Sequence, residues 1–143
     1  MGYNTLFEGQ ISIVSDMTDR NAELLMEVVQ DSKIDSLKEF CKAHAIKVKP
    51  LPAGWCNWKI MKWISDINYS IFDDEGGKAY YAEEWLCTLV NDILKPAGYD
   101  TEGVIKWSGE EYDDLGMFVV EDGKVITCTA DIVYSKPDGT VVT

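Results

Sequence analysis

Apolar residues recur at Tyr81, Trp85, Leu86, Leu89, Val90 and Ile93, the spacing of one helix face, until Lys95-Pro96-Ala97-Gly98 ends the run. A helix with so apolar a face needs a second layer to cover it. Upstream, Lys49-Pro50-Leu51-Pro52-Ala53-Gly54 breaks any helix, because each proline disfavours helical geometry in the residue before it. The chain therefore divides into helical and β sections.

The flanking segments supply candidates for that layer. Residues 7 to 14 alternate as a strand with Ile11 and Ile13 on one face. Thr18 or Asp19 can cap a helix in which Leu24 stacks with Val28 and Leu25 with Val29. Ser32 and Asp35 have capping-box spacing and restart the pattern as Ile34, Leu37, Cys41 and His44, predicting one broken helix or two consecutive ones. In residues 55 to 64, Cys56, Trp58, Ile60 and Ile64 fall on one face, with Trp55, Asn57, Lys59, Met61 and Trp63 on the other. Ile67, Tyr69 and Ile71 alternate in turn, so a hairpin turning at Ser65-Asp66 is expected. Asp73-Asp74-Glu75-Gly76-Gly77 reads as a loop. Strands are expected near 102 to 107 and 116 to 121. Asp122-Gly123 is a two-residue hairpin signal, followed by a strand from Lys124 to Tyr134 and a turn at Lys136-Pro137-Asp138-Gly139. The order predicts one α+β domain over residues 1–143, a mainly antiparallel sheet with two to three helices packed on one face.

At 143 residues, with 46% hydrophobic and 27% charged side chains, the chain has the means to bury a core without disulfides or metals. No apolar run reaches the roughly 18 to 20 residues of a membrane span, and the N-terminus lacks the pattern of a signal peptide, so a cytoplasmic protein is expected. Cys41, Cys56, Cys87 and Cys128 are too widely spaced for a zinc or redox motif and are expected as reduced thiols.

The net charge of −12 is unevenly placed. Residues 1 to 72 carry 9 acidic and 8 basic side chains, whereas residues 73 to 143 carry 16 and 5. Between Glu39 and Asp66 there is no acid, but five lysines and His44. Nucleic acid is a poor direct ligand for such a chain, since the acidic half repels phosphate. Clustered carboxylates instead suit a protein with a basic surface. The acids also serve simply to keep a small domain dispersed.

No catalytic constellation stands out. Cys41 and His44 share a helix face, but no orienting group or oxyanion signature accompanies them. Glu110-Glu111-Tyr112-Asp113-Asp114 concentrates four carboxylates without the alternating spacing of a calcium loop, so no metal and no cofactor are expected. Trp55, Trp58 and Trp63, with Tyr80, Tyr81 and Trp85, form an aromatic-rich centre; Trp55 and Trp63, beside Lys59 on the outer hairpin face, are candidate contact residues.

Gly2 to Ile11, Trp55-Cys56-Asn57-Trp58, Gly76 to Leu86, Leu94 to Tyr99, Gly103 to Glu110, and Asp114-Leu115-Gly116 through to Val125 together resemble a group of bacteriophage and prophage proteins with no assigned activity. These stretches cover about half of the chain. The resemblance implies a phage origin and a compact domain, and carries over no functional residue.

Together these features lead to the expectation of a non-enzymatic protein that inhibits a host nucleic-acid-binding or defence factor through a phosphate-mimicking acidic surface. Glu110, Glu111, Asp113 and Asp114, with Asp73, Asp74 and Glu75, would supply the charge. The alternative is a small-ligand or nucleotide sequestering protein that uses the tryptophan-rich centre.

Overall fold

A computed structural model describes residues 3–142. The fold is α+β. Strand β1 (Asn4–Ile13) leads into helices α1 (Asp19–Asp31) and α2 (Ile34–Ala43), then into the short strands β2 (Lys59–Met61), β3 (Ser70–Phe72) and β4 (Gly77–Lys78). Helix α3 (Ala82–Cys87) follows and continues as a π-helical stretch over Thr88–Leu94; β5 (Thr101–Ser108), β6 (Leu115–Glu121) and β7 (Lys124–Thr129) complete the main sheet. A separate hairpin pairs β8 (Tyr134–Ser135) with β9 (Val141–Val142).

The seven-stranded sheet is antiparallel in the order β2-β3-β1-β5-β6-β7, and β4 also pairs with β1. Because side chains alternate across a strand, this register sorts them into two faces. Ile11, Ile60, Ile71, Ile105, Phe118 and Val120 face the helices and are buried. They share one core with Leu24, Leu25 and Val28 of α1, Leu37 and Phe40 of α2, and Trp85, Leu86, Leu89 and Val90. Phe7, Trp58, Trp107 and Phe118 form an aromatic cluster within this layer, with Trp107 and Phe118 ring centroids 4.9 Å apart.

The local signals act as follows. Thr18 caps α1 by accepting the Asn21 backbone N–H. The expected Ser32–Asp35 capping box does not form: Ser32 ends α1 in the left-handed conformation (φ 50°), and Lys33 opens α2 without a side-chain cap. With so few residues between the helices, Ser32 is consumed by the reversal. In the α2 stripe Leu37 and Cys41 are buried, but Ile34 is exposed and Phe40 is a core residue instead. Tyr81 is likewise exposed rather than packed.

The run after Tyr81 is helical but not uniformly α. Its large buried apolar residues fall in pairs four apart, at 85/86, 89/90 and 93/94, and a strict four-residue repeat drifts around a helix of 3.6 residues per turn. Widening to π geometry holds the pairs against the sheet, as in the Lys95 N–H to Val90 carbonyl bond of 3.0 Å. Asn91 Oδ1 accepts the Val125 N–H at 3.0 Å, so the outer edge of β7 is partly covered.

Two β expectations are corrected. Strands β2 and β3 pair as a hairpin, but only over three residues each, and residues 62 to 69 form a connecting loop rather than strand continuations around a Ser65-Asp66 turn. Ile64 and Ile67 are accordingly exposed. The strand expected from Lys124 to Tyr134 ends at Thr129. Asp122 (φ 52°) and Gly123 (φ 72°) do make the tight turn, since both central positions need positive φ. Lys136–Gly139 forms the distal turn of the β8–β9 hairpin, closed by the Lys136 N–H to Thr140 carbonyl bond at 2.8 Å.

Among the described residues, no helix is long and apolar enough to cross a membrane.

Candidate functional site

The two acidic segments, 34 or more positions apart in sequence, meet around the first residues of β1. On one side Asn4 and Thr5 pair with Lys78 and Gly77, placing the 73–76 loop beside Leu6. On the other, the Asn4 N–H donates to Glu110 Oε1 at 3.1 Å. The Tyr3 hydroxyl donates to Asp114 Oδ2 at 2.6 Å, and the Glu111 N–H donates to the Tyr3 hydroxyl oxygen at 3.1 Å. Trp107 Nε1–H completes the clamp, donating to Asp114 Oδ1 at 3.2 Å. The hydrogen bond to Asp114 raises the Tyr3 pKa. Gly109 leaves room for this clamp, because a Cβ there would collide with Asp114 and Tyr3.

The carboxylates thus divide into two kinds. Asp73 is buried and accepts the backbone N–H groups of Glu75 and Gly76, both at 3.2 Å; its burial raises its pKa. Asp73 and Asp114 therefore hold loops in shape rather than presenting free charge. Asp74 and Glu75 are exposed and share Lys59, at 2.8 and 3.0 Å, and the Lys59 hydrogen bond lowers the Asp74 pKa. Glu110, Glu111 and Asp113 are exposed at the surface.

The aromatic centre does not form one platform. Trp58 and Trp85 are buried. Trp55, 64% exposed, lies outside any strand and lines a pocket of about 340 Å³ with Gln30, Asn57, Lys59 and Asp73. Trp63 instead stacks on Phe72, centroids 4.8 Å apart. Phe72 belongs to the face opposite the core, so the expectation that Trp55 and Trp63 share a hairpin face does not hold.

Cys41 and His44 do not form a nucleophile and base pair. His44 Nδ1 lies 2.7 Å from the Phe40 carbonyl and so carries the proton, while Nε2 accepts from the Tyr99 hydroxyl at 2.9 Å, whose oxygen in turn accepts from the Asn21 side-chain amide. Burial raises the Cys41 thiol pKa and pushes that of Cys56 to about 12. No group of three or more potential metal ligands occurs among the described residues.

A feature not anticipated from the sequence lies next to the acidic loops. The helix-free face of the sheet carries an apolar trough of about 630 Å³. Cross-strand rows Leu6-Ser108-Leu115 and Glu8-Lys106-Met117-Cys128 form it, with Ala130 at its margin. The 110–114 loop springs directly from its Ser108 and Leu115 corner. Apolar residues on both faces of β6, Leu115-Gly-Met-Phe-Val-Val, are the signal that could have revealed a second apolar surface.

No family model, curated protein or solved structure matches this chain.

Proposed function

We propose that the chain is a phage-encoded interaction protein without catalytic activity, which inhibits a host nucleic-acid-binding or defence factor in the cytoplasm by occupying its basic surface. The observation that carries this reading is the convergence of the two acidic loops around the start of β1. Distant carboxylates gathered at one end of a sheet create a local negative field suited to a phosphate-binding groove. Within that field the docking charges are Glu110, Glu111, Asp113, Asp74 and Glu75. Asp73 and Asp114 act one step behind them, fixing the loops that carry the charge. Trp55, close to the 73–76 loop, offers an aromatic contact at the rim.

Capture of a host protein by the full chain, followed by association rates at several salt concentrations, tests the proposal. The variant Glu110→Gln, Glu111→Gln, Asp113→Asn is expected to slow association about tenfold at low salt and to flatten its salt dependence. Unchanged rates at low salt would overturn the proposal.

A further inference from the structure

We propose that the chain pairs with a second copy of itself by exchanging its C-terminal arm, residues 130–142, so that each arm lies in the sheet trough of the other copy. Beyond Thr129 the chain leaves the main sheet, and β8 and β9 pair only with each other. Ile132, Val133, Tyr134, Val141 and Val142 are all exposed, from 40% to 66%. A two-stranded hairpin has little stability of its own in water and needs an apolar surface to rest on. The same chain offers such a surface, uncovered, in the trough formed by Leu6, Leu115, Met117 and Cys128.

Position, length and charge all fit the exchange. Ala130 borders the trough and also begins the arm, its N–H donating to the Leu115 carbonyl at 3.0 Å as the last rung before the chain departs. From Ala130 to Ser135, at about 3.3 Å per step, an extended chain reaches about 16 Å, and the three strand spacings from β7 to β1 span about 14 Å, so one arm can cross the trough. The arm carries only Asp131, Lys136 and Asp138, and Glu8 faces Lys106 across the trough floor. The arm's net charge of −1 and the Glu8–Lys106 pair leave the arm and the trough floor with little charge of their own, the acidic 110–114 loop standing at the trough's corner. Reciprocal exchange is isologous and closes as a dimer.

Light scattering coupled to gel filtration on the full chain is expected to give twice the 16.1 kDa chain mass. Tyr134→Asp in the arm and Met117→Glu in the trough should each weaken pairing at least ~30-fold, the scale of losing one buried anchor. Mixing the two variants should restore part of the dimer, because one intact arm then meets one intact trough. A measurement without substitutions runs in parallel: Cys128 alkylation in the parent should slow as protein concentration rises. A parent chain that stays monomeric, a dimer insensitive to both variants, or a co-purified small molecule in the trough would each overturn the proposal. The acidic-loop variant should pair normally, which separates failure here from failure of the proposed inhibition.

Discussion

Trp58 donates its indole N–H to the carbonyl oxygen of Ala82 at 2.7 Å, joining the entry to β2 to the first turn of α3. Trp85, equally buried one turn further on, has no acceptor for its indole N–H among the described residues. Trp58→Phe is therefore expected to cost about 1–3 kcal/mol more than Trp85→Phe, since only the first breaks a buried bond while the second removes an unsatisfied donor. Urea melts of the two variants check this. Truncation of Trp85 to Ala should still cost about 3–5 kcal/mol through the cavity it leaves.

Neutralising the acidic loop should separate charge from architecture. Glu110→Gln, Glu111→Gln and Asp113→Asn should leave the melting temperature unchanged or slightly raised. Asp114→Ala strips the acceptor from both Tyr3 and Trp107 and is expected to cost about 1–3 kcal/mol. Thermal melts at one pH distinguish the two classes.

The Tyr69 hydroxyl donates to Asp19 Oδ1, and this bond raises its pKa to about 12. An unfolded tyrosine titrates near about 10. Between those values the folded chain holds the proton and the unfolded chain loses it, so this contribution is complete below pH ~10 and disappears as pH rises toward ~12. Of the seven tyrosines, Tyr69 should be among the last to ionise in an ultraviolet titration. Tyr69→Phe should remove that late step and flatten the alkaline loss of stability.

Thiol labelling tests the core assignment. Cys41 and Cys56, with thiol pKa values raised by burial, are expected to resist alkylation at neutral pH until the chain unfolds. Rapid native labelling of either, located by mass spectrometry, would contradict the packing around α2 or the start of β2.

Short-range chemistry was legible in the sequence, and long-range placement was not. The Thr18 cap, the Asp122-Gly123 turn and the apolar stripe through Trp85 and Leu89 each follow from residues a few positions apart. Ser32 misleads because a capping serine and a left-handed helix terminus both place a small polar residue at a boundary. Ile64 and Ile67 mislead because alternation continues into a loop that no strand partner holds. The meeting of the acidic loops depends on Asn4 pairing with Lys78 and binding Glu110, contacts that leave no local pattern.

The central position of β1 sets the order in which the molecule can assemble. Its register with β5 joins Leu6 to Ser108 and Ile13 to Thr101, so β1 is completed by a strand that emerges roughly ninety residues later. At ribosomal rates of about 5–20 residues per second, β1 waits several seconds with its β5 edge unpaired. Closing such a long loop before any rung can form also places the chain among slow, topology-limited folders. Gln10, Glu8 and Ser12 on its solvent face help keep that waiting strand from pairing with another nascent chain.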